Sequence, residues 1–222
     1  MNRILIALLC LAFVSCDKPV TERQEAATVT ATIHKVTLLD TVKILVNHLP
    51  ISSTDVTTFT GTISWGDGNT TTFTNPAQAS LDVKHGYAAL GQFQIKITFD
   101  KPNAVDGYNL MFSGNDKTDT LLSLTGLAGI PNLRVIILQD DKLKDLDITG
   151  NNKIERLWLS GNRLTNATVN SLLTHMDSYT AFNLTPSPEL HLNGQTPASP
   201  PSNTGLVAKQ SLLSKGCTVI TD

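Results

Sequence analysis

Two stretches of the chain write one apolar frame 21 positions apart: Leu133-x-x-Ile136-x-Leu138-x-x-Asp141-x-Leu143, then Ile154-x-x-Leu157-x-Leu159-x-x-Asn162-x-Leu164. Each frame reads as one short strand plus a return segment. A unit of that size cannot bury its apolar edge alone, so the copies are expected to stack as parallel coils around a shared core. Successive side chains of a strand alternate between faces, and stacking therefore leaves every second residue on an open face. With Leu157 and Leu159 inward, Arg156, Trp158 and Ser160 look outward, and the same frame sends Ile137 and Gln139 outward from the preceding copy. A partial copy, Asn109-Leu110-Met111, is expected to set Met111 in line with Ile137 and Trp158. The sequence thus predicts an apolar stripe of Met111, Ile137 and Trp158 flanked by Gln139, Arg156 and Ser160. Tryptophan and arginine are enriched at interface hot spots, and an apolar strip in the open needs a reason. Either it binds a partner or another part of the chain covers it.

The two frames resemble a leucine-rich repeat. In that family the asparagine after the strand points inward and bonds the backbone of adjacent turns, which the resemblance assigns to Asn115, Asp141 and Asn162. Asp141 departs from the pattern, because a carboxylate cannot donate as an amide does. Leu121 to Leu127, and Leu143-x-x-Leu146-x-Ile148, are expected as return paths. After Leu164 the period becomes helical through Val169, Leu172, Leu173 and Met176, with Thr165 or Asn166 as N-cap. A strand Glu189–Leu192, a helix Thr204–Lys215 closed by Gly216, and a final strand from Cys217 to Thr221 follow. The ending from Leu190 to Asp222 resembles the terminal cap of leucine-rich-repeat surface lipoproteins from Gram-negative gut anaerobes, with Cys217 where that family often has an aromatic residue. Residues 103–222 are expected to form this domain.

Upstream, Thr28–Thr37, Thr41–His48, Thr57–Trp65 and Thr70–Thr74 are rich in Thr, Val and Ile, and Gln92–Phe99 alternates without interruption, all strand features. Gly66 and Gly68 on either side of Asp67 permit the positive φ of a tight hairpin. Ile63-Ser64-Trp65-Gly66-Asp67-Gly68, His85-x-Tyr87 and Gly91-x-Phe93-x-Ile95-x-Ile97 together resemble the PKD-type β-sandwich. Asp67, His85 and Tyr87 read as polar clips between loops. The expected fold is therefore mixed α and β: a PKD or immunoglobulin-like sandwich over residues 28–102, then a short leucine-rich-repeat solenoid with parallel strands and two helices near the C-terminus.

The chain opens with Arg3 and an apolar run from Ile4 to Val14, too short to cross a bilayer of about 30 Å as a helix and laid out as a secretory signal over residues 1–15. Phe13-Val14-Ser15-Cys16 resembles a bacterial lipobox, which implies acylation of Cys16; the alternative is an ordinary signal with an incidental cysteine. Residues 16–27 are polar and read as a tether. Cys10 falls in the signal and Cys16 would carry lipid, so Cys217 remains as a lone thiol, expected as a small buried hydrophobe.

A formal charge of −2 with scattered Lys and Arg gives no field for nucleic acid. The five histidines lie apart, and no zinc, nucleophile-elbow, phosphate-loop or dinucleotide motif is present. Asp140, Asp141, Asp145 and Asp147 read as a solvated charged edge interleaved with Lys142 and Lys144, rather than as a calcium site. No cofactor, metal or catalytic residue is expected. The function these features favour is a non-enzymatic lipoprotein of the bacterial outer membrane, at the cell surface, binding a protein ligand on a host or neighbouring cell. The alternative is a carbohydrate-binding accessory protein, with a hydrolase as the rival enzyme class.

Overall fold

A computed structural model describes residues 25–47, 58–75, 80–113, 119–180 and 187–222. The expected signal, Cys16, most of the tether and Asn115 lie outside these residues. In chain order the elements are β1 (Ala27–Lys35), β2 (Thr41–Asn47), β3 (Phe59–Ser64), β4 (Thr70–Asn75), β5 (Ser80–Gly86), β6 (Gly91–Phe99), β7 (Gly107–Ser113), β8 (Thr120–Thr125), β9 (Val135–Ile137), β10 (Arg156–Trp158), α1 (Asn166–Tyr179), β11 (Glu189–His191), α2 (Asn203–Ser214) and β12 (Thr218–Ile220). The structure is mixed and mostly β, with two sheets and two helices.

The first sheet is antiparallel, in the order β4-β3-β6-β1-β8. Its inward face follows from alternation: Val29, Ala31 and Ile33 of β1, Ile95, Ile97 and Phe99 of β6, and Phe59 and Ile63 of β3 are fully buried. The second sheet has seven strands, β12-β11-β10-β9-β7-β2-β5. Val42, Ile44 and Val46 of β2 join the same continuous core as the first sheet's inner face, and so do Ile136, Leu157, Leu190 and Val219 farther along.

β7 is where the two strand regimes meet. On one side it pairs antiparallel with β2, Asn109 opposite Leu45; on the other it pairs parallel with β9, Asn109 opposite Ile137. From β9 onward every neighbour is parallel, as stacked coils require. The frame residues Leu133, Ile136, Leu138 and Leu143, and Ile154, Leu157, Leu159 and Leu164, are all buried.

Two expectations need correction. Leu121 to Leu127 is no return path: residues 120–125 form β8, antiparallel to β1, because Leu121 and Leu124 bury beside Ile33 and Ala31. Residues 107–113 are likewise paired to β2 along their length. Backbone hydrogen bonds of both sheets therefore run across the boundary expected at 102/103.

Polar side chains inside the coils satisfy the backbone that the turns leave unpaired. Asn162 Oδ1 accepts from Leu143 N at 3.0 Å, and its Nδ2 donates to Leu138 O at 2.7 Å and Leu159 O at 3.0 Å. Asp141 Oδ1 accepts from Leu121 N at 2.8 Å. Two further residues extend the pattern. Gln195 accepts from Leu164 N and donates to Leu159 O and Leu192 O, and Asn151 donates to Leu127 O and Ile130 O. The helices cap this half. Thr165 is the N-cap of α1, its side chain accepting from Thr168 N at 3.1 Å, and Val169, Leu172, Leu173 and Met176 form its buried face. Gly205 lets α2 approach α1: a Cβ there would stand 2.0 Å from Asn170 Oδ1.

Replacing Asn162 by Ala leaves Leu143 N and Leu138 O buried without this partner, while Leu159 O keeps its bond from Gln195. At about 1–3 kcal/mol for each unsatisfied group, less relaxation, the loss is about 3 kcal/mol. Asn162→Asp keeps the acceptor but turns a second oxygen toward Leu138 O and Leu159 O, so its loss in denaturant unfolding should be at least that of Asn162→Ala.

Candidate functional site

The parallel register decides which side chains share the outer face. Ile137 is level with Trp158, Trp158 with His191, and His191 with Ile220, while Asn109 of β7 completes the row at its other end. Met111 is not in this row. It lies two residues farther along β7, opposite Lys43 of β2, and is 42% exposed. The expected stripe of Met111, Ile137 and Trp158 is thus corrected to Asn109, Ile137, Trp158, His191 and Ile220. The parallel bond pattern aligns β7 with β9 two residues away from the register that the partial copy suggested.

Trp158 is the centre of the row and is half-buried, pointing away from the core that holds Leu157 and Leu159. Its ring lies 5.3 Å from the His191 ring with the planes 7° apart. Adjacent strands are roughly 4.8 Å apart, so residues level on neighbouring strands can set their rings against each other on the outer face. The Arg156 guanidinium carbon sits 5.0 Å from the Trp158 ring centroid, within cation–π range. Arg156 Nε is also 3.4 Å from Glu189 Oε2. One strand step away, Ser160 Oγ donates to Asn193 Oδ1 at 3.0 Å, and Gln139 is exposed. Behind the row, Arg134 grips Glu155 through Nη2 to Oε2 at 2.6 Å and Nε to Oε1 at 3.0 Å. Trp158 Nε1 is buried with no hydrogen-bond partner among the described residues.

The structure therefore brings Ile137, Gln139, Arg156, Trp158 and Ser160 onto one face and sets Met111 apart. His191 and Ile220 belong to the row although sequence reasoning did not place them there. The signal was present in the alternation of Glu189-Leu190-His191-Leu192, whose leucines had to face inward.

A second polar constellation lies at the hairpin between β3 and β4. Gly66 and Gly68 have φ of 82° and 92°, and a Cβ on Gly66 would meet Gln94 O at 2.6 Å. Asp67 Oδ1 accepts from Asn69 N at 3.0 Å, and Asp67 Oδ2 is 2.7 Å from His85 Nε2 at the end of β5. The His85 ring stacks on Trp65 at 4.6 Å and meets Tyr87 edge-on, while Tyr87 Oη donates to Trp65 O at 2.9 Å. Because β4 and β5 are edge strands of different sheets, the cluster clips the two sheets together at one margin. Burial works to raise the Asp67 carboxyl, but the hydrogen bonds from His85 and Asn69 outweigh it and hold the group down to about 2. Burial, reinforced by the Asp67 charge, pushes the Tyr87 phenol well above its ordinary range. These groups are tied to one another and to backbone, which suits a clip.

Among the described residues no three His, Cys, Asp or Glu side chains gather as a metal-holding group, and no helix is long and apolar enough to cross a membrane. Cys217 is buried, and that burial pushes its thiol up. A scan against protein-family models, a search of curated proteins and a search of solved structures each return no match.

The clip carries a pH signature. The Asp67 carboxyl sits at about 2 in the fold against an ordinary 3.8, so its stabilising effect is present above the higher value and is lost as pH falls through the lower one. The difference in thermal midpoint between wild type and Asp67→Asn should be widest near pH ~5 and close toward pH ~2. Calorimetry across that range checks it.

Proposed function

We propose that this chain is a lipoprotein of the bacterial outer membrane, acylated at Cys16, that presents a PKD-like sandwich as a stalk and a short leucine-rich-repeat solenoid as a contact head at the cell surface. Its task is recognition of a protein partner by the outer face of the parallel strands, with no bond made or broken. What supports the contact head is the buried frame of Leu133 to Leu164 together with the inward amides of Asn162 and Gln195. What supports the stalk is the Trp65-Gly66-Asp67-Gly68 hairpin joined to His85 and Tyr87.

The observation that carries the binding reading is the row Ile137, Trp158, His191 and Ile220, with Arg156 over the indole. It sets a stacked aromatic pair between aliphatic side chains on a rigid sheet, with charges at its margin. Rigid aromatic anchors lose little entropy on binding and so make effective hot spots. A protein partner is favoured over a sugar because His191 stacks against the Trp158 ring and the Arg156 guanidinium lies over it, whereas a stacked sugar needs a free face.

The test presents the full chain to a panel of host extracellular proteins and to a glycan array. A protein ligand should bind wild type and the Met111→Ser variant alike. Trp158→Ala should lose about thirtyfold in affinity, a hot-spot effect of about 2 kcal/mol, while its unfolding free energy stays within about 1 kcal/mol. Undiminished binding by Trp158→Ala, or capture by glycans alone, contradicts the reading.

A further inference from the structure

Lys35 is the anomaly of the sandwich core. Alternation along β1 sends Val29, Ala31 and Ile33 inward, and Lys35 is next in that series, its side chain 0% exposed. Lysine is almost never fully buried unless paired. The partner is set by register. In the antiparallel pair of β1 and β8, Ile33 faces Leu121 and His34 faces Thr120, so the next step brings Lys35 opposite Asp119. Asp119 is also 0% exposed on its side chain, and Lys35 Nζ contacts its Oδ2 directly.

The surroundings suit more than an ion pair. Asp119 Oδ1 accepts from two consecutive backbone amides, Val36 N at 2.5 Å and Thr37 N at 3.2 Å. Two backbone N–H groups on one oxygen of a carbonyl carbon are what stabilises an oxyanion when that carbon is attacked. The other oxygen, Oδ2, faces the amine. Lys35 Nζ also donates to Asp40 O at 3.0 Å, which brings a third residue against the pair. Asp40 is itself buried, and its Oδ2 has no hydrogen-bond partner among the described residues. A nucleophile and an electrophilic carbon with its donors are thus buried together, and Asp40, which meets the amine through its backbone carbonyl, carries a buried carboxyl oxygen with no partner among the described residues.

We propose that Lys35 and Asp119 condense into an intramolecular amide, with the Asp40 carboxyl as proton carrier. Amide formation takes the amine with its lone pair free and the carboxyl as the acid. The lone pair of Lys35 Nζ attacks Asp119 Cγ, forming the C–N bond, and the negative charge collects on Oδ1 between Val36 N–H and Thr37 N–H. A proton leaves Nζ through Asp40 to Oδ2, the Cγ–Oδ2 bond breaks, and Oδ2 departs as water. One amide and one water form from one amine and one carboxylic acid, and no oxidant or reductant is required. Contact geometry supplies the rate, since well-oriented intramolecular pairs act as if at very high concentration.

The consequence is mechanical. An amide joining residue 35 to residue 119 passes a pull between the chain ahead of β1 and the chain after Asp119 through one covalent bond, and residues 36–118 bear none of it. The chemistry does not depend on the binding face, so either proposal can fail alone.

Mass spectrometry of the purified full chain after trypsin digestion tests this. The expected result is a branched peptide joining the Lys35 and Asp119 segments, lighter by one water than their sum, with no cleavage after Lys35. Lys35→Arg, which keeps the charge and cannot form the product, should yield only linear peptides. In Asp40→Ala the branched peptide should form about a hundredfold more slowly, the size of a general acid–base contribution, with circular dichroism matching wild type to show that the fold is kept. Linear peptides of full mass and ordinary cleavage after Lys35 in the wild-type chain overturn the proposal. Linkage in Asp40→Ala at the wild-type rate overturns the role given to Asp40.

Discussion

The structure depends on β7 being hydrogen-bonded on both edges. A strand with one free edge would end the antiparallel pairing there and leave the parallel strands to begin elsewhere, with an exposed edge. Here β7 gives its first edge to β2 and its second to β9, so the antiparallel strands cover the end of the parallel run. Tyr108 is the side chain at the junction. It is buried between the inward residues of β2 and Ile136, and burial pushes its phenol far up. At the other end α2 and β12 close the stack, with Leu212, Cys217 and Val219 inside. Both ends of a short pile of coils are thereby covered.

The same junction fixes the geometry of the outer face. Because β7 and β9 are in register at Asn109 and Ile137, the aromatic pair lies in the middle of a five-strand parallel run rather than at its rim. A polar network lies beneath that face. Asn162 and Gln195 tie the turn after each strand to the strand carbonyls and so satisfy the interior.

Much of this was legible in the residues. Strict spacing at Ile136, Leu138, Leu157 and Leu159 leaves one way to bury them, and Ile95, Ile97 and Phe99 likewise choose their side of β6. The failures come where local pattern carries little information. β5 alternates, with Leu81, Val83 and His85 half-covered between exposed neighbours, but only two of its residues are aliphatic and none is fully buried, so its pattern is short and weak. Leu121 and Leu124 have the composition of a return path and of a strand alike, and only the open edge of β1 decides between them. Met111 was misplaced because register between strands is a property of pairing, and a two-residue slip keeps every side chain on its face. Asp119 and Lys35 are 84 residues apart in sequence, and nothing local relates them; their meeting is a product of the β1/β8 register.

The continuity of the fold through β7 is tested most directly by the chain's two tryptophans, Trp65 directly after β3 of the first sheet and Trp158 in β10 of the second. Trp65→Phe and Trp158→Phe each leave one fluorophore, reporting one half of the molecule during urea unfolding. With a sheet bonded through β7, the fluorescence transition of each variant coincides with its own loss of far-ultraviolet circular dichroism, because neither half unfolds alone. Two separated transitions, one at each tryptophan, would contradict it.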